Sequence, residues 1–204
     1  VTKKLHDDDP SLPSKAMQYV GYVGLQSEVL AQSTDPKSVL ENLVEAANIA
    51  DRFYKQDEQS AEKRRRAALA FYRVGQWCEK VGDEKGVEYR QRCLELRRVA
   101  ASLDESNDRK QLDLMLANAA LGDELGTLAI ADKYRAYPLL DNEMRVDIAR
   151  ALCRLSSHCD VARADKLRSE SLAILRDAMH NGYKDEVFLR SELDLSLIRK
   201  MEEF

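Results

Sequence analysis

Glycine and proline are scarce in this chain, with eight and four residues of 204. Regular backbone is therefore seldom interrupted, and its breaks are confined to a few turns. No segment alternates apolar and polar residues with a sustained period of two, which excludes a half-buried sheet. No run of about 18 apolar residues occurs, so no membrane span is expected. The opening, Val1-Thr2-Lys3-Lys4-Leu5-His6 and then three Asp, is not a signal peptide. The first residue is Val rather than Met, which points to a longer parent protein. Cysteine is limited to Cys78, Cys93, Cys153 and Cys159, with no C-x-x-C pair. Disulfide frameworks are denser than this, so the four read as free thiols in a reducing, cytoplasmic setting.

One-sided charge is also missing. The formal net charge is −4, from 32 basic and 36 acidic residues. That balance is too mild to imply nucleic acid or an anionic membrane, which favour a strongly basic face.

What the chain does contain is a repeat. Val81-Gly82-Asp83-Glu84-Lys85-Gly86 returns as Leu121-Gly122-Asp123-Glu124-Leu125-Gly126, a shift of 40 residues from Asp83 to Asp123. Looser echoes lie at Ser33-Thr34-Asp35 and His158-Cys159-Asp160. Each sits between amphipathic stretches, and a helix–turn–helix unit repeating at this interval reads as a solenoid. Gly82 and Gly122 are expected to end helices in the left-handed conformation that a residue without Cβ adopts cheaply.

Periodicity predicts eight helices. Residues 1–13 read as a linker, and Ser14 caps a first helix to about Ser33 that contains Val23-Gly24. Asp35-Pro36 starts the second, with Val39, Leu43, Ala46, Ala50 and Phe53 on one face. The third covers about 59–81 and the fourth is capped by Asp83. The fifth to eighth cover about 109–121, 124–136, 142–157 and 160–180, and Pro138 falls after the sixth. Residues 183–204 hold Val187, Phe188, Leu193, Leu195 and Ile198, which are expected to cover the apolar face of the eighth helix.

The hairpins resemble tetratricopeptide repeats. That pattern is a bulky residue, a Leu-Gly pair one turn later, an apolar residue one turn further and a small residue in the second helix. Phe71, Val74-Gly75, Cys78 and Gly86 fill these places, with Gly82-Asp83 between the helices. The resemblance implies an all-α, right-handed α-solenoid of about four hairpins over 14–182, with 183–204 as its C-terminal cap. The last 90 or so residues are similar to the repeat region following the kinase domain of large bacterial serine/threonine protein kinases. The resembling runs are Ala173-Ile174-Leu175-Arg176-Asp177-Ala178, Gly182-Tyr183-Lys184-Asp185, Leu189-Arg190-Ser191, Leu193-Asp194-Leu195 and Leu197-Ile198-Arg199. A kinase domain before Val1 is what that resemblance implies for the parent. The chain itself has no strand-borne glycine-rich loop, no His-Arg-Asp and no Asp-Phe-Gly.

Chemistry-bearing residues are few. Cys153, His158 and Cys159 lack zinc spacing, and His6 with Asp7, Asp8 and Asp9 lies on a linker without a rigid frame. No nucleophile–base pattern is present among three His, so neither enzyme activity nor a cofactor is expected. Lys63-Arg64-Arg65-Arg66 follows Asp57, Glu58 and Glu62, and reads as a solvated face with local ion pairs or as a contact for an acidic peptide.

The expected function is a non-catalytic protein–protein interaction scaffold that holds a peptide or partner helix in its concave groove. The alternative is a self-associating or autoregulatory module of a larger signalling protein. In the tetratricopeptide family the groove-facing positions match Leu69, Tyr72 and Gln76, with Arg65 one turn earlier and Arg73 flanking. Residues 65, 69, 72 and 76 step by four, three and four and share a helix face independently of any family. Burial of Leu69 and Tyr72 between helices is the competing reading of the same stripe.

Overall fold

The computed structural model describes residues 35–137 and 140–201. The linker, the first helix with Ser14 and Val23-Gly24, Pro138 and Phe204 lie outside the described residues. Those described are all-helical, without a strand, and the chain forms two compact units, residues 1–100 and 101–204.

In the first unit, α1 spans Pro36–Gln56, α2 Ala61–Val81 and α3 Gly86–Ser102. Local chemistry starts each of the first two. The Asp35 carboxylate accepts from the Lys37 backbone N–H at 3.1 Å with Pro36 at the first helical position, and Ser60 Oγ accepts from Lys63 N–H at 3.3 Å. Val39, Leu43, Ala46, Ala50 and Phe53 are buried along one face of α1, as their spacing of three and four requires.

Helix α2 ends in a Schellman motif. Gly82 has φ 74°, its N–H donates to Glu79 O at 3.2 Å, and Asp83 N–H donates to Cys78 O at 2.8 Å. Gly122 repeats the motif at φ 75°, with bonds to Ala119 O and from Asp123 N–H to Asn118 O. The duplicated string therefore codes the same turn twice.

Past the glycine the two copies diverge. Asp123 caps its helix directly, accepting from Gly126 N–H at 2.9 Å. Asp83 instead accepts from Lys85 N–H at 3.0 Å, and a further turn delays the start of α3 to Gly86. The expectation that Asp83 itself caps α3 is corrected accordingly.

Helices α2 and α3 cross at close range. Gly75 lies against Arg90, Phe71 stacks on Tyr89 with centroids 6.2 Å apart, and Arg97 lies over the Tyr72 ring at 4.6 Å. Residues lower in α2 meet residues higher in α3, so the two are antiparallel. Arg92 of α3 also reaches Asp51 of α1 at 2.9 Å. As α1 and α2 form a hairpin, α1 and α3 run in the same direction, side by side.

The second unit contains α4 (Asp108–Ala120), α5 (Glu124–Arg135), α6 (Asn142–Ser156), α7 (Val161–His180) and α8 (Glu186–Ser191). Two 3₁₀ turns follow, Leu193–Leu195 and Ile198–Lys200. Asn107, Asp141, Asp160 and Asp185 each accept a hydrogen bond from a backbone N–H three residues on, at 2.8–3.1 Å. Hairpin α4/α5 packs on hairpin α6/α7. Arg109 pairs with Asp147 at 2.6 Å and Arg163 with Glu124 at 2.6 Å, contacts that span 38 and 39 residues of sequence.

The tail belongs to this unit. Leu189, Leu195 and Ile198 are buried with Val146, Ala149 and Cys153 of α6 and Leu175 and Ala178 of α7, while Phe188 packs on the edge of that cluster. Val187 departs from expectation. It follows the Asp185 cap, sits in the first turn of a six-residue helix, and is 78% exposed.

Candidate functional site

The stripe expected on α2 is divided by the fold. Arg65 is exposed and Leu69 is 49% exposed, whereas Tyr72 and Gln76 are 2% and 5% exposed. Tyr72 carries the Arg97 guanidinium on its ring, and Arg73 Nη1 donates to Gln76 Oε1 at 3.2 Å. One helix face thus holds two surface side chains and two that α3 and local hydrogen bonds enclose. The competing reading of burial holds for Tyr72 and not for Leu69.

The basic run beside this stripe is taken up locally. Lys63 pairs with Asp57 at 3.0 Å and Arg66 with Glu62 at 2.6 Å. Arg64 is buried, donates to the Glu58 carbonyl and lies over the Tyr54 ring at 5.7 Å. Three of the four cations therefore serve the helix start, in the manner of short-range ion pairs.

A more open feature lies between α1 and α3. A groove of about 630 Å³ is lined on one side by the outer face of α1, with Leu40, Val44 and Ile49 among Glu41, Glu45, Asn48 and Arg52. The opposite wall is Tyr89 and the turn residues Asp83 and Lys85. Phe71 of α2 supports Tyr89 from behind. Burial, and then the neighbouring Cys78, Asp83 and Glu88, raise the Tyr89 hydroxyl above its ordinary value, so it is a neutral hydrogen-bond donor at physiological pH. Elsewhere on α1, burial raises the Asp51 carboxyl, but hydrogen bonds from Lys55 and Arg92 outweigh this and hold it below the ordinary carboxylate range. Acidic, apolar, aromatic and basic groups thus share one concave surface, a mixture suited to holding a protein segment.

Three of the four cysteines are poor nucleophiles. Burial pushes the thiols of Cys78 and Cys153 up to about 11, and Cys159, less buried, is also raised. All three are thiols rather than thiolates near neutrality. Among the described residues, no group of three or more His, Cys, Asp and Glu is arranged to hold a metal ion, and no helix is long and apolar enough to cross a membrane.

Two features were missed at the level of sequence. One is the outer face of α1, which the spacing of core residues passes over. Its signal was available: Glu41, Glu45, Asn48, Arg52 and Lys55 step by four, three, four and three. The second is a buried charge cluster that pins the tail. Arg150 donates to Asp147 at 2.7 Å and to Asp194 at 3.0 Å, and lies 3.3 Å from Glu192, all four being buried. Nothing in local spacing joins residue 150 to residue 194.

Comparison with protein-family models, with characterised protein sequences and with solved structures gives no match for this chain.

Proposed function

We propose that this chain is a non-catalytic protein-interaction scaffold built from tetratricopeptide-like helical hairpins, and that the α1–α3 groove is where it holds a segment of another polypeptide. The observation that carries this reading is the groove itself: a concavity of about 630 Å³ whose walls mix apolar, aromatic and oppositely charged side chains on rigid helices. Support for the repeat reading comes from the Schellman turns at Gly82 and Gly122 and from contacts between hairpins of the second unit at intervals of 38 and 39 residues. In that reading α1 and α3 are second helices of successive hairpins, so the groove lies on their side, and Arg65 and Leu69 of α2 form a separate exposed surface. A scaffold belonging to a larger cytoplasmic signalling protein is the reading that the resemblance of the tail to the repeats of bacterial serine/threonine kinases favours.

Site-specific photo-crosslinking in cells tests the site. A benzophenone amino acid at Val44 or Tyr89 is expected to give adducts with a polypeptide. Adducts at Leu69 but at neither groove position would move the site to α2. No protein adduct at any of the three would overturn the scaffold reading.

A further inference from the structure

The outer face of α1 has an ordered charge pattern, in which Lys55 also pairs with Asp51 of the same helix at 2.7 Å and Arg52 lies over the Phe53 ring at 5.8 Å. Glu41, Glu45, Asn48, Arg52 and Lys55 fall within one narrow stripe of the helix, opposite the buried face of Leu43, Ala46, Ala50 and Phe53. From N- to C-terminus the stripe reads acid, acid, amide, base, base. Glu41, Asn48, Arg52 and Lys55 are exposed, Lys55 to 61% at its side chain, and Glu45 is half-buried. Glu41 lies seven residues before Asn48 and Lys55 seven after it.

A stripe with this antisymmetry is complementary to itself in one orientation only. Two copies of α1 laid antiparallel, with a two-fold axis through Asn48, bring Glu41 level with Lys55 of the second copy and Glu45 to within one residue of Arg52 of the second copy. Each pair occurs twice, and Asn48 meets Asn48 at the axis, where two amides hydrogen-bond well. A parallel arrangement would set acid against acid and base against base, so it is selected against.

The groove next to the stripe supplies what charge alone does not. Leu40, Val44, Ile49 and Tyr89 line it, so an apposed helix finds apolar surface beside its ion pairs. We infer that the occupant of the α1–α3 groove is α1 of a second copy of this chain, in an antiparallel, isologous homodimer. This inference rests on the reading of the groove as an interaction site and names its occupant.

Sedimentation equilibrium of the 204-residue chain is the test. The expected result is a dimer of the 23.2 kDa protomer whose dissociation constant rises by about tenfold or more as salt is raised to about 0.5 M, because the pairs at its rim are screened. Two variants then read the pairing. One carries Glu41→Lys with Glu45→Lys, the other Arg52→Glu with Lys55→Glu. Each alone is expected to be monomeric with an unchanged helical circular dichroism signal, and mixing them is expected to restore a heterodimer. A monomeric parent, variants that still self-associate, or two folded variants that do not pair on mixing would overturn the inference.

Should either variant fail to fold, Asn48→Cys in a Cys159→Ser background decides. A short bis-maleimide is expected to link two Asn48→Cys chains and to leave Ser38→Cys chains unlinked, and absence of that linkage overturns the inference. A monomeric chain that still forms adducts with a different protein at Val44 would overturn the homodimer and retain the scaffold. A monomeric chain without adducts at Val44, Tyr89 or Leu69 would overturn both.

Discussion

Gly75 and Gly86 face one another where α2 and α3 cross, and neither has room for a rigid side chain. A Cβ added to Gly86 would fall 2.8 Å from Cys78 Cβ and 3.4 Å from Gly75 O. A Cβ added to Gly75 would fall 2.7 Å from Arg90 Cγ. The obstacles differ in kind. Cys78 Cβ is fixed to its helix, whereas Arg90 Cγ can clear only if the whole Arg90 side chain changes rotamer, giving up its 3.0 Å pair with Glu79 and its 3.4 Å bond to Gly75 O.

The two substitutions should therefore diverge. Gly86→Ala is expected to destabilise by about 1–3 kcal/mol, the usual cost of overpacking. Gly75→Ala should cost less than Gly86→Ala, since relief of the glycine entropy penalty in a helix, about 0.5–1 kcal/mol, offsets part of the cost of displacing the arginine. Urea denaturation measures both, and a larger loss at Gly75 would contradict the geometry.

Gly82 and Gly122 share a backbone conformation but differ in surroundings. At Gly82 a Cβ would meet nothing within 4 Å, while at Gly122 it would lie 3.0 Å from His158 Cβ and Cγ. Gly82→Ala should cost about 1 kcal/mol, for the left-handed backbone alone. Gly122→Ala should cost more, because His158 must also shift. Thermal melts of the two variants would show this order, and equal losses would remove His158 from the account.

Arg150 is the counter-ion of a buried acidic set. Arg150→Met would leave Asp147, Glu192 and Asp194 enclosed without that cation, and breaking such a buried arrangement costs about 3–5 kcal/mol. Removal of residues 183–204 takes away Leu189, Leu195 and Ile198 and exposes Val146, Cys153 and Leu175. That truncated chain is expected to aggregate or melt at lower temperature. Light scattering during a thermal ramp checks both variants, and a truncated chain as soluble and stable as the parent would show that the tail is not a cap.

Asp51 links α1 to α3 through Arg92, and its carboxyl titrates below the ordinary range. A depressed folded pKa contributes stability above the unfolded value, about 3.9, and that contribution fades as pH falls through the folded value. Asp51→Asn should therefore be less stable than the parent at pH 7, with the difference shrinking below about pH 4 as the parent loses the same interaction. A difference that stays constant from pH 7 to about pH 3 would assign the effect to packing rather than to the ion pair.

Much of the secondary structure was legible because its causes are local. Asp35-Pro36, Asp123 and Asp160 stop or start helices through bonds to backbone a few residues away, and Gly82 and Gly122 end them for want of a Cβ. The core face of α1 was legible for the same reason, since a helical period is written in residues three and four apart. Asp83 shows the limit of such reasoning. The same Gly-Asp-Glu string begins a helix at Asp123 and a turn at Asp83.

The candidate site was only partly legible. A shared helix face was enough to group Arg65, Leu69, Tyr72 and Gln76, yet Tyr72 and Gln76 are enclosed because α3 returns along α2 with Arg97 over the tyrosine ring. Helical period says which residues share a direction; a neighbouring helix decides which part of that direction is covered. Glu192 and Asp194 lie among the apolar residues of the tail, and are buried because Arg150, more than 40 residues earlier, lies where they fold back. The sequence by itself determined where helices begin, end and turn their apolar side, since those choices are settled within a few residues of backbone. Only the tertiary structure decided which polar residues are enclosed and which helices border a groove, because burial and charge pairing depend on chain segments that sequence distance does not bring together.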